Sequence, residues 1–216
     1  MVLIDRSSLS KFLPTGYISL TFTANLSCGQ RQLIVGNNKV GKTTLLSNIV
    51  KNLSLNKNFS YLGIKNIYTF YNFIGSSRRE LVLHKGYHIF LNKKYSFFID
   101  GTVSLDLYTQ FESPFKSLIF CEKLGVNGMD TIHILDSLSN HAKIYRHMML
   151  DLKRAPGREA YPGDVFFLHA KILEKYGQYA SIFNKGSLTG LPVAEVHKNN
   201  ISDYITTNLI SITDGQ

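Results

Sequence analysis

Residues 36–43 read Gly-Asn-Asn-Lys-Val-Gly-Lys-Thr, a G-x-x-x-x-G-K-T pattern, directly after the apolar run Leu33-Ile34-Val35. The pattern works only where a strand ends in a tight loop and the loop opens into a helix, so it restricts the fold severely. Gly36 and Gly41 let backbone N–H groups curl round phosphate oxygens, with Asn38, Lys39, Val40 and Thr44 completing the cradle. Lys42 reaches the β- and γ-phosphates, and the Thr43 hydroxyl is a ligand for Mg2+. The run Thr44-Leu45-Leu46-Ser47-Asn48-Ile49-Val50 reads as the helix whose positive end faces the anion. The expected ligands are Mg2+ and ATP or ADP.

A chain of 216 residues fits one α/β domain that needs no disulfide or metal to hold its core. Cys28 and Cys121 stand apart in small or apolar surroundings, which argues against a disulfide framework or zinc site and for a reducing compartment. No apolar stretch is long enough to span a bilayer, and Met1–Arg6 is neither a secretory signal nor an arginine-rich transit peptide. The net charge of +9 and pI near 9.5 are spread over single residues or pairs such as Arg78-Arg79 and Lys93-Lys94, so no nucleic-acid partner is expected. Abundant Asn, Lys, Ile, Phe and Tyr, with no Trp, point toward an AT-rich genome and an organelle-encoded gene.

Strand candidates fall at Gln32–Val35, Ile67–Ile74, Tyr95–Ile99, Thr131–Leu135, Leu191–Val196 and Leu209–Thr213, with helices between most of them. The alternation predicts an α/β fold with a mostly parallel sheet flanked by helices. His133 interrupts an apolar strand and reads as a histidine satisfied by a hydrogen bond at a strand edge or end, since no metal-spaced partner lies near it. The aromatic run Tyr68, Phe70, Tyr71, Phe73 reads as strand packing rather than a base-stacking platform. Another helix is expected after Tyr161-Pro162-Gly163-Asp164, capped by the carboxylate and closed by Gly177.

Asp136 follows the strand Thr131–Leu135 and looks like the acid that holds Mg2+, approaching the same metal as Thr43 from an adjacent strand end. An apolar run followed by Asp is common, but its pairing with a phosphate loop in one chain favours the metal reading.

The segment Arg154-Ala155-Pro156-Gly157-Arg158-Glu159-Ala160-Tyr161-Pro162-Gly163-Asp164-Val165-Phe166 closely resembles the RRPPGREAYPGDVF signature of F-type ATP synthase α subunits. Gly29-Gln30-Arg31, Tyr145-Arg146-His147-Met148, Gly186–Val193 and Ile210–Gln216 look like the same family in the same order. The match covers about Thr15 to Gln216 and is weak between Thr44 and Asp136. The resemblance implies a RecA-like P-loop NTPase core that alternates with β subunits in a hetero-hexameric ring around a γ shaft and binds Mg·ATP without turning it over. It implies a peripheral place on the matrix side of the mitochondrial inner membrane, touching the membrane only through the complex, ahead of a plastid or bacterial cytoplasmic membrane.

Several residues depart from the family. Where catalytic β subunits carry a water-polarising glutamate and α subunits a glutamine, this chain has Ser76, so no catalytic residue is expected in its own site. Glu80, on a following helix, is expected to point elsewhere. Ser137 replaces a second aspartate after Asp136, and Lys39 stands where a glutamine is usual, as an added phosphate contact or as a solvated side chain. Arg154 and Arg158 read either as arms across a subunit interface or as local caps and pairs. Residues 1–216 are expected to form one nucleotide-binding domain with 1–14 as a lead-in, without the family's N-terminal β-barrel and C-terminal helical domain. That expectation describes a split subunit completed by other α-subunit segments, with apolar surface exposed when alone. The competing expectations are a stand-alone P-loop NTPase and a degenerate homologue serving as a scaffold in an organellar complex.

Overall fold

The computed structural model describes residues 6–55, 67–88, 95–180, 186–196 and 200–216. Its strands are β1 (Arg6–Ser7), β2 (Ile34–Asn37), β3 (Ile67–Ile74), β4 (Ser96–Gly101), β5 (Asp130–Asp136), β6 (Gly177–Tyr179) and β7 (Ser187–Val196). Its α-helices are α1 (Ile18–Thr23), α2 (Lys42–Leu55), α3 (Arg78–His88), α4 (Leu107–Val126), α5 (Leu138–Asp151), α6 (Val165–Leu173) and α7 (Tyr204–Ile212). The strands form one sheet in the order β1-β6-β7-β5-β3-β4, with β2 pairing β7. The pairs β2·β7, β7·β5, β5·β3 and β3·β4 are parallel, and the antiparallel pairs β1·β6 and β6·β7 lie at one edge, where β6 alone runs against the other strands. This is the mostly parallel α/β sheet that the strand and helix alternation predicts.

Alternate residues of the central strands feed two cores on opposite faces. Tyr71, Phe73, Ile132, Ile134, Leu191 and Val193 pack with Leu46, Ile49 and Val50 of α2 and Leu81 of α3. Phe70, Ile74 and Leu135 pack on the other face with Leu118 of α4, Leu138 and Tyr145 of α5, Ile172 of α6 and Leu209 of α7. The free thiols Cys28 and Cys121 are buried in different cores. The aromatic run of β3 is strand packing: Phe70 stacks on Phe97 at 4.9 Å and Tyr71 on Phe73 at 4.4 Å.

Four expectations need correction. Leu209–Thr213 is not a strand, because Ile205, Thr206 and Leu209 are the buried face of helix α7, and its Ile-Ser-Ile-Thr alternation only mimics a period of two. Gly177 does not close α6, which ends at Leu173; it opens β6 instead. Asp164 makes no side-chain cap, since its carboxylate accepts a hydrogen bond from Tyr145 Oη at 2.7 Å. His133 is satisfied by hydrogen bonds as expected, to Ser117 Oγ at 2.8 Å and Tyr176 Oη at 2.7 Å, but it lies mid-strand between Phe70 and Gly190 rather than at an edge. The pair Lys93-Lys94 lies outside the described residues.

Candidate functional site

β2 runs into the loop 38–41 and α2 begins at Lys42, the strand, loop and helix order that the motif requires. Gly41 has φ +97°, a left-handed conformation in which a side chain is strained, and Lys39 also has positive φ at 63°. Lys42 Nζ folds back onto the loop and donates to the carbonyls of Gly36 at 2.9 Å and Asn37 at 2.6 Å. Burial lowers its pKa, against the opposing pull of Glu195 and Asp136.

Thr43 Oγ1 donates to Asp136 Oδ2 at 2.9 Å, and Tyr71 Oη donates to the same oxygen at 2.8 Å. The two hydrogen bonds favour the charged carboxylate, but burial outweighs them and raises the pKa of Asp136. The strand ends carrying Thr43 and Asp136 are not adjacent, as the sequence reading had them: β7 lies between β2 and β5. The register of β7 explains the meeting, because residues 187–192 pair β5 and residues 193–196 pair β2. All three parallel strands therefore end on one side of the sheet, and Glu195 near the end of β7 joins the site.

A cavity of about 240 Å³ opens there, lined by Asn38, Lys39, Gly41, Lys42, Thr43, Thr44, Glu80, His84, Asp136 and Glu195. Of the predicted site residues, Gly36 contributes its carbonyl to Lys42 without lining the cavity, and Val40 is 63 % exposed on the loop. Lys39 lines the cavity from an exposed position. Glu80 does not point elsewhere. Ser77 and Glu80 form a reciprocal capping box, Ser77 N to Glu80 Oε2 and Glu80 N to Ser77 Oγ, both at 3.3 Å, and this turns the carboxylate back toward the loop. Ser76 does not line the cavity, and its buried hydroxyl has no hydrogen-bond partner among the described residues. Ser137 caps α5 by accepting from Asn140 N at 3.4 Å.

Tyr71, Glu80, His84 and Glu195 are the residues that sequence reasoning missed. Glu195 carried a signal, a carboxylate near the end of a predicted parallel strand, where ligand sites of such sheets collect. Tyr71 carried none, because only cross-sheet packing directs its hydroxyl to Asp136.

Outside the cavity, Arg31 pairs with Asp214 through Nε at 3.0 Å and through Nη2, and Leu33 N donates to Gly215 O at 2.8 Å, so the last residues lie beside the entrance to β2. Arg158 stacks over Tyr204 at 5.6 Å and approaches Glu159 at 4.0 Å.

Residues 16–216 match the model of the ATP synthase alpha/beta family, nucleotide-binding domain. The chain belongs to that family. It is 37 % identical over 216 residues to the ATP synthase subunit alpha of Neorickettsia sennetsu, and 35 % identical over 221 residues to those of Ehrlichia ruminantium strains Gardel and Welgevonden. Each match covers 99 % of this chain, which spans 42 % of the relative's length.

Proposed function

We propose that the chain is the nucleotide-binding part of a non-catalytic α subunit in the F1 sector of a proton-translocating ATP synthase, holding Mg·ATP in a structural or regulatory role. The observation that carries the reading is the hydrogen bond of Thr43 to Asp136 at the mouth of a phosphate loop, with no carboxylate at Ser76. Thr43 and Asp136 are hard oxygen donors suited to Mg2+, and among the described residues no group of three or more His, Cys, Asp or Glu is placed to hold a metal. Such a pair would hold an ion that takes its remaining ligands from phosphate oxygens and water. When bound, Mg2+ neutralises charge on the phosphates. Lys42, already held against the loop carbonyls, binds and orients the phosphates, and Gly41 clears the backbone for their approach.

The proposed partners are β subunits, the γ shaft and the other segments of an α subunit. Support comes from α1, which buries none of its residues and leaves Ile18 76 % and Phe22 84 % exposed. The proposed location is the matrix side of the mitochondrial inner membrane, supported by the compositional bias of the chain; among the described residues no helix is long and apolar enough to cross a membrane. Native purification with mass spectrometry of accompanying proteins and bound nucleotide tests the reading. Recovery of β and γ subunits with Mg·ATP supports it, whereas an unrelated assembly without nucleotide leaves the scaffold reading. A second reading, a stand-alone NTPase, is favoured by Glu80 in the cavity. ATP hydrolysis by the chain alone that is lost in Glu80→Gln would establish it.

A further inference from the structure

On α2, Ser47 lies one turn after Thr43, and its hydroxyl meets Nδ1 of His84 from α3 at 2.8 Å. Ser47 is 9 % exposed, and its hydroxyl can donate to Nδ1 in one tautomer of the ring and accept from it in the other. With Ser47 as the donor, the neutral ring carries its own proton on Nε2. Burial supports the neutral form, lowering the imidazole pKa below its ordinary range. The ring plane is set by packing against Tyr71, at 6.2 Å and 18°, and Phe73, at 5.6 Å. Tyr71 in turn donates to Asp136, so the imidazole sits at the Thr43 and Asp136 end of the phosphate cavity, which it lines.

We propose that His84 is a phosphate contact of this chain: Ser47 fixes its tautomer, and Nε2–H donates to the terminal phosphate of bound ATP. The inference rests on the nucleotide-binding reading above. Thr43 and Asp136, which would hold a metal ion accompanying the phosphates, line the same cavity as His84, so a terminal phosphate charge-neutralised by that ion would lie within the reach of the ring. A neutral N–H donor there adds affinity for the triphosphate while leaving the net charge of the site unchanged. Ser47 acts as a positioning residue, because it reaches the ligand only through the ring.

The test measures Kd for Mg·ATP and Mg·ADP on the full chain and on His84→Leu, His84→Gln, Ser47→Ala and Lys42→Ala, with 15N NMR of the imidazole. His84→Leu should weaken ATP about tenfold and change ADP less than twofold, the scale of one hydrogen bond to a charged group. His84→Gln, whose amide nitrogen replaces Nε2, should restore most of the ATP affinity. Ser47→Ala should reduce the Nε2–H tautomer signal and weaken ATP by an intermediate factor. Unchanged ATP affinity in His84→Leu, or equal losses for ATP and ADP, overturns the proposal. Lys42→Ala should weaken both nucleotides; an unaltered chain that binds neither overturns the nucleotide reading and this proposal together.

Discussion

The hydroxyl of Thr43 and the carboxylate of Asp136 are 2.9 Å apart although another strand separates the two strands that deliver them. Thr43, the second residue of α2, follows a strand whose end pairs the last four residues of β7, and β7 also pairs the strand that ends at Asp136. Asp136→Asn keeps the shape and removes the charge that suits a divalent cation. Nucleotide affinity in Mg2+ should fall about tenfold, toward the value in EDTA, and affinity in EDTA should hardly change. Equilibrium binding with and without EDTA checks this, and an equal loss in both conditions would refute the metal role.

Lys42 is held by two loop carbonyls and lines the cavity with its charge. Lys42→Met should weaken ATP by roughly 10- to 100-fold, the range for charge-assisted hydrogen bonds. It should also abolish the rise in melting temperature that saturating Mg·ATP gives. Thermal melts with and without nucleotide measure both effects.

Three buried histidines make the fold acid-sensitive. Burial lowers the pKa of His133 to about 3, of His141 to about 4 and of His169 to about 3. The groups facing them are Ser117 and Tyr176 for His133, the Phe111 carbonyl for His141, and, between His141 and His169, Nδ1 of the first and Nε2 of the second, 3.4 Å apart. The unfolded chain takes up protons near its ordinary histidine pKa of about 6.5, while the folded chain does not until near pH 4 to 3. Their contribution to stability is thus complete above about pH 6.5 and is lost as pH falls toward the folded values. Urea melts should show a stability slope approaching three protons below about pH 6, roughly 1.4 kcal/mol per pH unit for each histidine. A slope under one proton would contradict the buried neutral forms.

Gly186 precedes β7 where the chain passes the end of α4. A Cβ there would run into the carbonyl oxygen of Gly125 and lie 2.9 Å from that of Met129, both backbone atoms that cannot turn aside. Gly186→Ala should cost about 3 kcal/mol, as overpacking does where the neighbours are fixed. Chemical denaturation measures it, and a cost below about 0.5 kcal/mol would show that the backbone shifts freely there.

The sequence by itself determined the loop, the helix after it and the parallel sheet. Phosphate recognition needs glycines, a lysine and a hydroxyl at set spacing, and strands buried on both faces read as apolar runs. Asp136 was legible for the same reason, as an acid at the end of the run Thr131–Leu135. Pairing order was not legible, because parallel strands of similar composition carry no local mark of their neighbours, and only the register of β7 brings Thr43 to Asp136. Helix α7 was misread because β-branched alternation is local, whereas the burial of Ile205, Thr206 and Leu209 is decided by elements far away in sequence. The positions of Glu80, His84 and Glu195 around one cavity, and of Tyr71 behind Asp136, likewise came from tertiary packing, since each sits on a different turn or strand and acquires its direction only when the two cores close around the sheet.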